Sequence, residues 1–371
     1  MRFRNSAANG DDQASTFQCD TGDITHNSSC CGRRAFLGGL ASLGAAALLN
    51  VGRASAQVPT TKPFRIDVHH HFSSPGFIAE ITGRKTGQVP LIRLTAEKSI
   101  EDMDKGGVAT SILSISEPSV FFGNYDAARA LARETNDFAA RLITEYPGRF
   151  GLFATVPLPD VEGTLREIEY ALDTLKADGI CMMTDYEGKF LGDPAFSPVM
   201  EELNRRKAIV YTHPFRNTCC RNLVPDVFEP TIELGTDTTR TIASLLFSGA
   251  AARFPDIKFI FSHGGGTAPF LVQRFTFLAN ARKDLAARLP EGPIHYLQKF
   301  YYDTANASTP YPLASLTKLV SASQILFGTD FPFLTAQGTA TELRESNMFT
   351  AADLQAIERG NATQLMPRYK S

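Results

Sequence analysis

The chain has 371 residues, of which 20% are charged and 43% hydrophobic, and a net charge of −2. That balance fits a globular enzyme and excludes the basic footprint of a nucleic-acid binder. Six cysteines in a chain of this length also exclude a small disulfide-built scaffold.

Residues 1–56 read as a removable export signal. Gly32-Arg33-Arg34-Ala35-Phe36-Leu37 opens a mildly apolar run from Gly38 to Val51, and Ala54-Ser55-Ala56 closes it as an A-x-A cleavage site before Gln57. The Arg-Arg pair followed by Phe-Leu resembles a twin-arginine signal, which implies a mature periplasmic protein beginning near Gln57. The alternative, a membrane anchor, fits less well because the run is short and rich in Gly and Ala. Cys19, Cys30 and Cys31 leave with the leader, and Cys181, Cys219 and Cys220 remain. Neighbouring side chains point apart, so Cys219-Cys220 reads as packing rather than as a ligand pair.

Residues 57–371 form one catalytic domain in this reading. Short apolar runs recur at Phe64–His70, Ala109–Ile115, Phe150–Pro157, Gly179–Thr184, Ala208–His213, Lys258–His263, Phe300–Ala305 and Ile325–Phe331. Patterns of helical period fall between them: Tyr125–Tyr146, Val161–Lys176, Pro194–Arg206, Thr238–Phe254, Pro269–Arg288 and Pro312–Ser321, with Ala351–Leu365 last. Eight strands alternating with helices predict a single α/β domain, a (β/α)8 TIM barrel. An open doubly wound sheet is the alternative, but it does not bring the ends of strands one, five, six and eight to one point. Ser73–Lys98, with scattered Gly and Pro, reads as a long first loop over the barrel mouth.

The first strand, Arg65-Ile66-Asp67-Val68-His69-His70-His71, places His69 and His71 on one face, about 6.6 Å apart along the strand. His70 then points the other way, into packing, and Asp67 lies deeper on the inward face as a core hydrogen-bonder. Strand five ends in His213-Pro214, strand six in His263-Gly264-Gly265-Gly266, and strand eight in Asp330-Phe331-Pro332. Each polar residue follows an apolar run and precedes a Gly or Pro turn, where barrel enzymes build their sites. Unpartnered, such residues are costly to bury. His69, His71, His213 and Asp330 make a three-nitrogen, one-oxygen donor set suited to one divalent ion, Zn²⁺ with an open position or Mn²⁺. His263 is left as an acid/base or hydrogen-bonding group. Phe121, Phe122, Phe215, Tyr302 and Phe331 are candidates for an aromatic pocket wall, and His295 reads as structural.

These motifs resemble the amidohydrolase superfamily, in the branch of aminocarboxymuconate-semialdehyde, γ-resorcylate and 6-methylsalicylate decarboxylases. The likeness extends to Glu101-Asp102-Met103-Asp104-Lys105-Gly106-Gly107-Val108, Tyr146-Pro147-Gly148-Arg149-Phe150, Thr238-Thr239 and Phe300-Tyr301-Tyr302-Asp303. It implies His69, His71, His213 and Asp330 as metal ligands and His263 with Asp330 as the catalytic pair. It also implies that Arg274 reaches a neighbouring subunit's site in a homodimer and clamps a substrate carboxylate. Phe215 and Tyr302 would contact the substrate. Strand four, Cys181-Met182-Met183-Thr184, lacks the lysine that binuclear members carboxylate, which implies a single metal. There is no Trp, whereas the muconate-semialdehyde enzyme uses one near its site, and Cys219-Cys220 and Asp237-Thr238-Thr239-Arg240 look more like the 6-methylsalicylate type. The expected activity is metal-dependent, non-oxidative decarboxylation of an aromatic or unsaturated carboxylic acid. Metal-dependent hydrolysis of a lactone or amide uses the same residues and is the alternative; an exported metal-binding protein without catalysis is the third.

Overall fold

Eight strands alternate with helices in a computed structural model that describes residues 62–216, 220–221 and 223–370. The expected leader, with Arg33 and Arg34, and Cys219 lie outside the described residues. The strands are β1 (Arg65–His71), β2 (Val108–Ser114), β3 (Phe150–Thr155), β4 (Gly179–Met183), β5 (Asp185–Tyr186), β6 (Lys189–Phe190), β7 (Ile209–His213), β8 (Lys258–Phe261), β9 (Tyr301–Asp303) and β10 (Ile325–Leu326). β5 and β6 form a separate two-stranded hairpin, and the other eight make one parallel sheet in the order β1-β2-β3-β4-β7-β8-β9-β10.

The sheet closes where its last strand returns to its first. Val68 N–H donates to the Phe327 carbonyl at 2.9 Å, Asp330 N–H to His69 at 2.8 Å, and His71 N–H to Phe331 at 2.9 Å, with His70 and Phe331 in parallel register. This is the predicted (β/α)8 barrel. Its strands are buried on both faces, so they carry near-continuous apolar runs rather than alternation. Ile66, Val68, Ile112, Phe153, Ile180, Val210, Ile260 and Phe327 belong to one continuous core, each worth roughly 1.5–3 kcal/mol when buried.

The helices are α1 (Pro75–Gly83), α2 (Val89–Ile92), α3 (Ala96–Gly106), α4 (Tyr125–Glu145), α5 (Val161–Glu169), α6 (Ser197–Arg205), α7 (Pro230–Phe247) and α8 (Ala250–Arg253). Then follow α9 (Ala268–Ala281), α10 (Lys283–Ala286), α11 (Gly292–Leu297), α12 (Pro310–Leu319), α13 (Ala336–Glu345), α14 (Ala351–Gln355) and α15 (Asn361–Leu365). Gly249, at φ 83°, breaks the run expected to be continuous from Thr238 to Phe254. Among the described residues no helix is long and apolar enough to cross a membrane.

Two expectations are corrected. The stretch Ser73–Lys98 is largely helical: Ser74 caps α1 by accepting from Phe77 N–H, and Thr95 caps α3 by accepting from Lys98 N–H. Phe77, Ile81 and Leu91 pack into a small cluster of their own, against Phe122 and Phe333. Nine- and four-residue helices are too short to show a helical period. Strands six and eight also stop earlier than the apolar runs suggest, because His263 (φ 54°) and Asp330 (φ 66°) leave the extended region. Both adopt left-handed backbone conformations at the mouth, which non-glycine residues visit at a cost and which cluster at functional sites.

Candidate functional site

Three histidines and one carboxylate meet at the C-terminal mouth of the barrel. One ligand atom from each of His69, His71, His213 and Asp330 lies within 4.8 Å of the others, and all four residues are buried. β1 supplies His69 and His71, its i and i+2 positions on the inward face, β7 supplies His213, and the turn after β10 supplies Asp330.

Each imidazole has its Nδ1 tied to an acceptor: His69 to Asp303 Oδ2 at 2.8 Å, His71 to the Ser114 carbonyl at 3.2 Å, and His213 to the Pro214 carbonyl at 2.9 Å. Those bonds fix the Nδ1–H tautomer and leave each Nε2 as a bare lone pair. The Nε2 atoms of His69 and His71 nevertheless face each other at 3.3 Å, and both lie near Asp330 Oδ1, at 3.1 and 3.0 Å. Acceptors so close need a positive charge between them, and an N₃O set is what a divalent ion takes. The residues present fit a metal.

In the metal-free protein a proton takes that place. Burial alone would depress His69, but Asp303 and Asp330 outweigh it and push its pKa up to about 10. Burial, with His69 beside it, holds His71 below its ordinary value; burial, with His71 and His69, holds His213 well below. For Asp330 burial opposes ionisation, yet His69 and the bonds from His263, His69 and His71 keep its carboxyl well below the usual range. The raised His69 value stabilises the metal-free fold fully below pH 6.5, and that contribution disappears as pH rises through about 10. Metal must displace this proton, so metal affinity is expected to fall by about tenfold per pH unit below that value. Competition with a chelator at pH 6, 7 and 8 measures it; a flat profile would show that no proton is displaced.

Asp330 has two differently occupied oxygens. Oδ1 faces His69 and His71, while Oδ2 lies 3.3 Å from His263 Nε2 and accepts from Asn306 Nδ2 at 3.0 Å. His263 stands outside the four-atom cluster and lines a cavity of about 570 Å³ above it. Phe228, Leu234, Pro312 and Phe333 form the apolar part of its wall; Gln88, Ser116, Glu117, Thr267 and Asn306 form the polar part. This size and mixture suit a small aromatic ligand.

Other sequence candidates lie elsewhere. Tyr302 is fully buried, donates to the Leu297 carbonyl at 2.8 Å and packs against Gly265. It therefore supports the glycine turn after β8 and does not line the cavity, because β9 directs Asp303 inward and the intervening Tyr302 outward. Phe215 is half-buried against the core; its backbone N–H donates to Thr184 and Asp237 at 3.1 Å. Phe331 stacks on His70 at 4.8 Å, Phe121 tilts against Tyr125 and Phe122 lies under Arg84. None of these five aromatics lines the cavity. Arg274 is exposed on α9, away from this chain's cavity.

Asp67 is a core hydrogen-bonder, accepting from His69 N–H, Thr329 N–H and Thr329 Oγ1 at 3.0, 3.1 and 2.6 Å. His70 is buried beside it, 3.2 Å from Asp67 Oδ2. Thr184, just after β4, hydrogen-bonds Asp237 on α7.

Asp303, Asn306 and Glu117 join the site beyond the residues expected from sequence. Asp303 binds His69 and also accepts from His263 N–H at 2.8 Å, so one carboxylate aligns a metal ligand and the free histidine. It ends the apolar strand β9 at the barrel mouth, a position where ligand-type residues are expected. Asp303→Asn is expected to weaken metal binding by roughly 10–100-fold, the usual cost of losing such a supporting carboxylate. Isothermal titration of metal into stripped protein reads this directly, and unchanged affinity would reduce Asp303 to packing.

A buried N₃O donor set that fits a divalent metal, at the mouth of a closed eight-stranded barrel, defines the class: a barrel metalloenzyme. The sequence profile described as Amidohydrolase matches residues 66–368, and the chain belongs to the amidohydrolase family. It is 37% identical over 325 residues to decarboxylase yanB of Aspergillus niger, covering 82% of this chain and 88% of that one. It is 34% identical over 320 residues to the 6-methylsalicylic acid decarboxylase of Penicillium expansum, covering 82% and 97%. Among solved structures it resembles a dihydroxybenzoic acid decarboxylase of Polaromonas sp., determined with bound manganese and 2-nitroresorcinol. That match has a TM-score of 0.72 at 24% identity and covers 83% of this chain and 98% of that one.

Proposed function

We propose that the protein is a metal-dependent, non-oxidative decarboxylase of an aromatic carboxylic acid. The observation that carries this reading is Asp330, a carboxylate with one oxygen in the metal cluster and the other held by His263 and Asn306 beneath the cavity. Relatives over four-fifths of the chain bear the name decarboxylase, which favours this reading over lactone or amide hydrolysis.

His69, His71, His213 and Asp330 would hold one divalent ion, Zn²⁺ by donor type with Mn²⁺ as the alternative, to withdraw electron density from the bound acid. The chain's own groups then move the proton. Asp330, in its protonated form, would give its proton to the ring carbon bearing the carboxylate. The carbon–carbon bond next breaks, its electron pair returns to the ring, and CO₂ leaves. His263 Nε2, 3.3 Å from Oδ2, restores the proton from solvent. Phe228, Leu234 and Phe333 exclude water from one side of the ring.

Incubating metal-loaded protein with hydroxybenzoic acids and lactones, while following CO₂ and acid release separately, tests this. CO₂ with the matching phenol is the expected result. Acid release from lactones alone would establish the hydrolase, and neither product would leave a metal-binding protein. Elemental analysis of the same sample, expected near one zinc per chain, distinguishes zinc from manganese.

Two proposals complete the reading. Phe270 and Phe277, 78% and 70% exposed, share one face of α9 with Arg274 at i, i+4 and i+7 spacing. Such a face fits a second copy of the chain, whose cavity Arg274 would enter. Arg274→Ala is then expected to weaken carboxylate binding by roughly 2–5 kcal/mol in a protein that sediments as a dimer; a monomer with unchanged affinity would overturn it. Residues 1–56 act as the twin-arginine export signal, and N-terminal sequencing of periplasmic protein is expected to start near Gln57.

A further inference from the structure

We propose that Glu117 is a specificity-determining residue that selects aromatic acids carrying a hydroxyl on the ring edge away from the metal and disfavours a second carboxylate there. This rests on the decarboxylase reading for the ligand class.

Glu117 follows β2, lines the cavity and is only 5% exposed. It lies outside the four-residue metal cluster, at a part of the cavity wall that the metal donors do not form. The Arg216 backbone N–H donates to its Oε2 at 2.9 Å, the Arg216 guanidinium pairs with its Oε1, and Gln88 Nε2 donates to Oε1 at 3.4 Å. A carboxylate offers about four lone-pair sites. Two are met by directed hydrogen bonds and the Arg216 guanidinium adds an ion pair, which leaves acceptor capacity available to a donor in the cavity.

A phenolic hydroxyl is such a donor; a ring C–H leaves the acceptor unmet, and a carboxylate is repelled. No Lys or Arg is among the described residues lining this chain's cavity, and the nearby Arg216 guanidinium is already engaged by Glu117 itself. Sites built around a buried hydrogen bond discriminate most strongly against ligands that lack it.

Burial pushes the Glu117 carboxyl up, against the pull of Arg216 and its backbone N–H, so the comparison is made at pH 8 to favour the ionised form. Metal-loaded protein is titrated with 2-hydroxybenzoate, 2,4-dihydroxybenzoate, 2,5-dihydroxybenzoate and 2-hydroxyterephthalate. Affinity is read from the rise in unfolding temperature with the acid in large excess, so slow turnover does not disturb it.

At least one dihydroxy acid is expected to bind roughly 10–100-fold tighter than 2-hydroxybenzoate, with 2-hydroxyterephthalate weakest. Glu117→Gln is expected to shrink the hydroxyl preference by about tenfold and to narrow the gap to the dicarboxylate. An unchanged order of affinities in Glu117→Gln overturns the proposal. Should that variant not fold, the wild-type order decides: equal affinity for 2-hydroxyterephthalate and the dihydroxy acids overturns it. The two readings fail separately. CO₂ release without a hydroxyl preference removes the role of Glu117, whereas the expected order without CO₂ from any acid removes the decarboxylase.

Discussion

Asp330→Asn is expected to abolish CO₂ release, even when the variant is assayed in excess metal. The carboxylate does two things that an amide cannot. Its Oδ1 contributes the one anionic donor to a cluster otherwise made of neutral imidazoles, at 3.1 and 3.0 Å from His69 and His71. Its Oδ2 lies between His263 and the cavity, where it would carry the proton that the reaction delivers. Asparagine keeps the shape but presents a carbonyl or an NH₂ that cannot give up a proton at any working pH. Removing proton transfer alone costs roughly 10²–10⁴-fold, and the weakened metal adds to that. Turnover above a tenth of the native rate in a fully loaded variant would take the proton role away from Asp330.

His263→Asn is expected to separate the two functions. It keeps nearly full metal content, because His263 is not among the four residues whose ligand atoms cluster, yet loses roughly 10²–10⁴-fold in rate. Elemental analysis beside CO₂ release distinguishes the outcomes. Loss of metal would make His263 a fifth ligand. Retention of both metal and rate would route the proton through Asp330 and water alone.

Most of the barrel is legible in the sequence because its strands are buried on both sides. A run such as Gly179-Ile180-Cys181-Met182-Met183 has no competing solvent-facing pattern, and each ligand breaks such a run at its end. Asn306 is not legible in this way. It sits at φ 51° three residues beyond Asp303, in a turn whose course no periodicity reveals. Glu117 and Phe228 likewise belong to connections between elements, and their approach to the cavity is set by how those connections fold back. The aromatic wall differs from the expectation for the same reason. Phe215 and Tyr302 adjoin strand ends, whereas the aromatic rings that line the cavity, Phe228 and Phe333, come from segments with no strand signal.

The seam that closes the barrel carries a further consequence. Asp330 N–H binds the His69 carbonyl, Asp67 binds Thr329, and the side chains of His71 and Asp330 meet although they are 259 residues apart in the chain. An ion held there would act as a cross-link between the first and last strands as well as a reagent. Loops this long are among the most costly to close in an unfolded chain, so occupancy of the site should be felt across the whole barrel. Chelation would then loosen the two ends of the sheet together, with faster amide exchange at Val68, His71 and Asp330 before the strands on the opposite side respond.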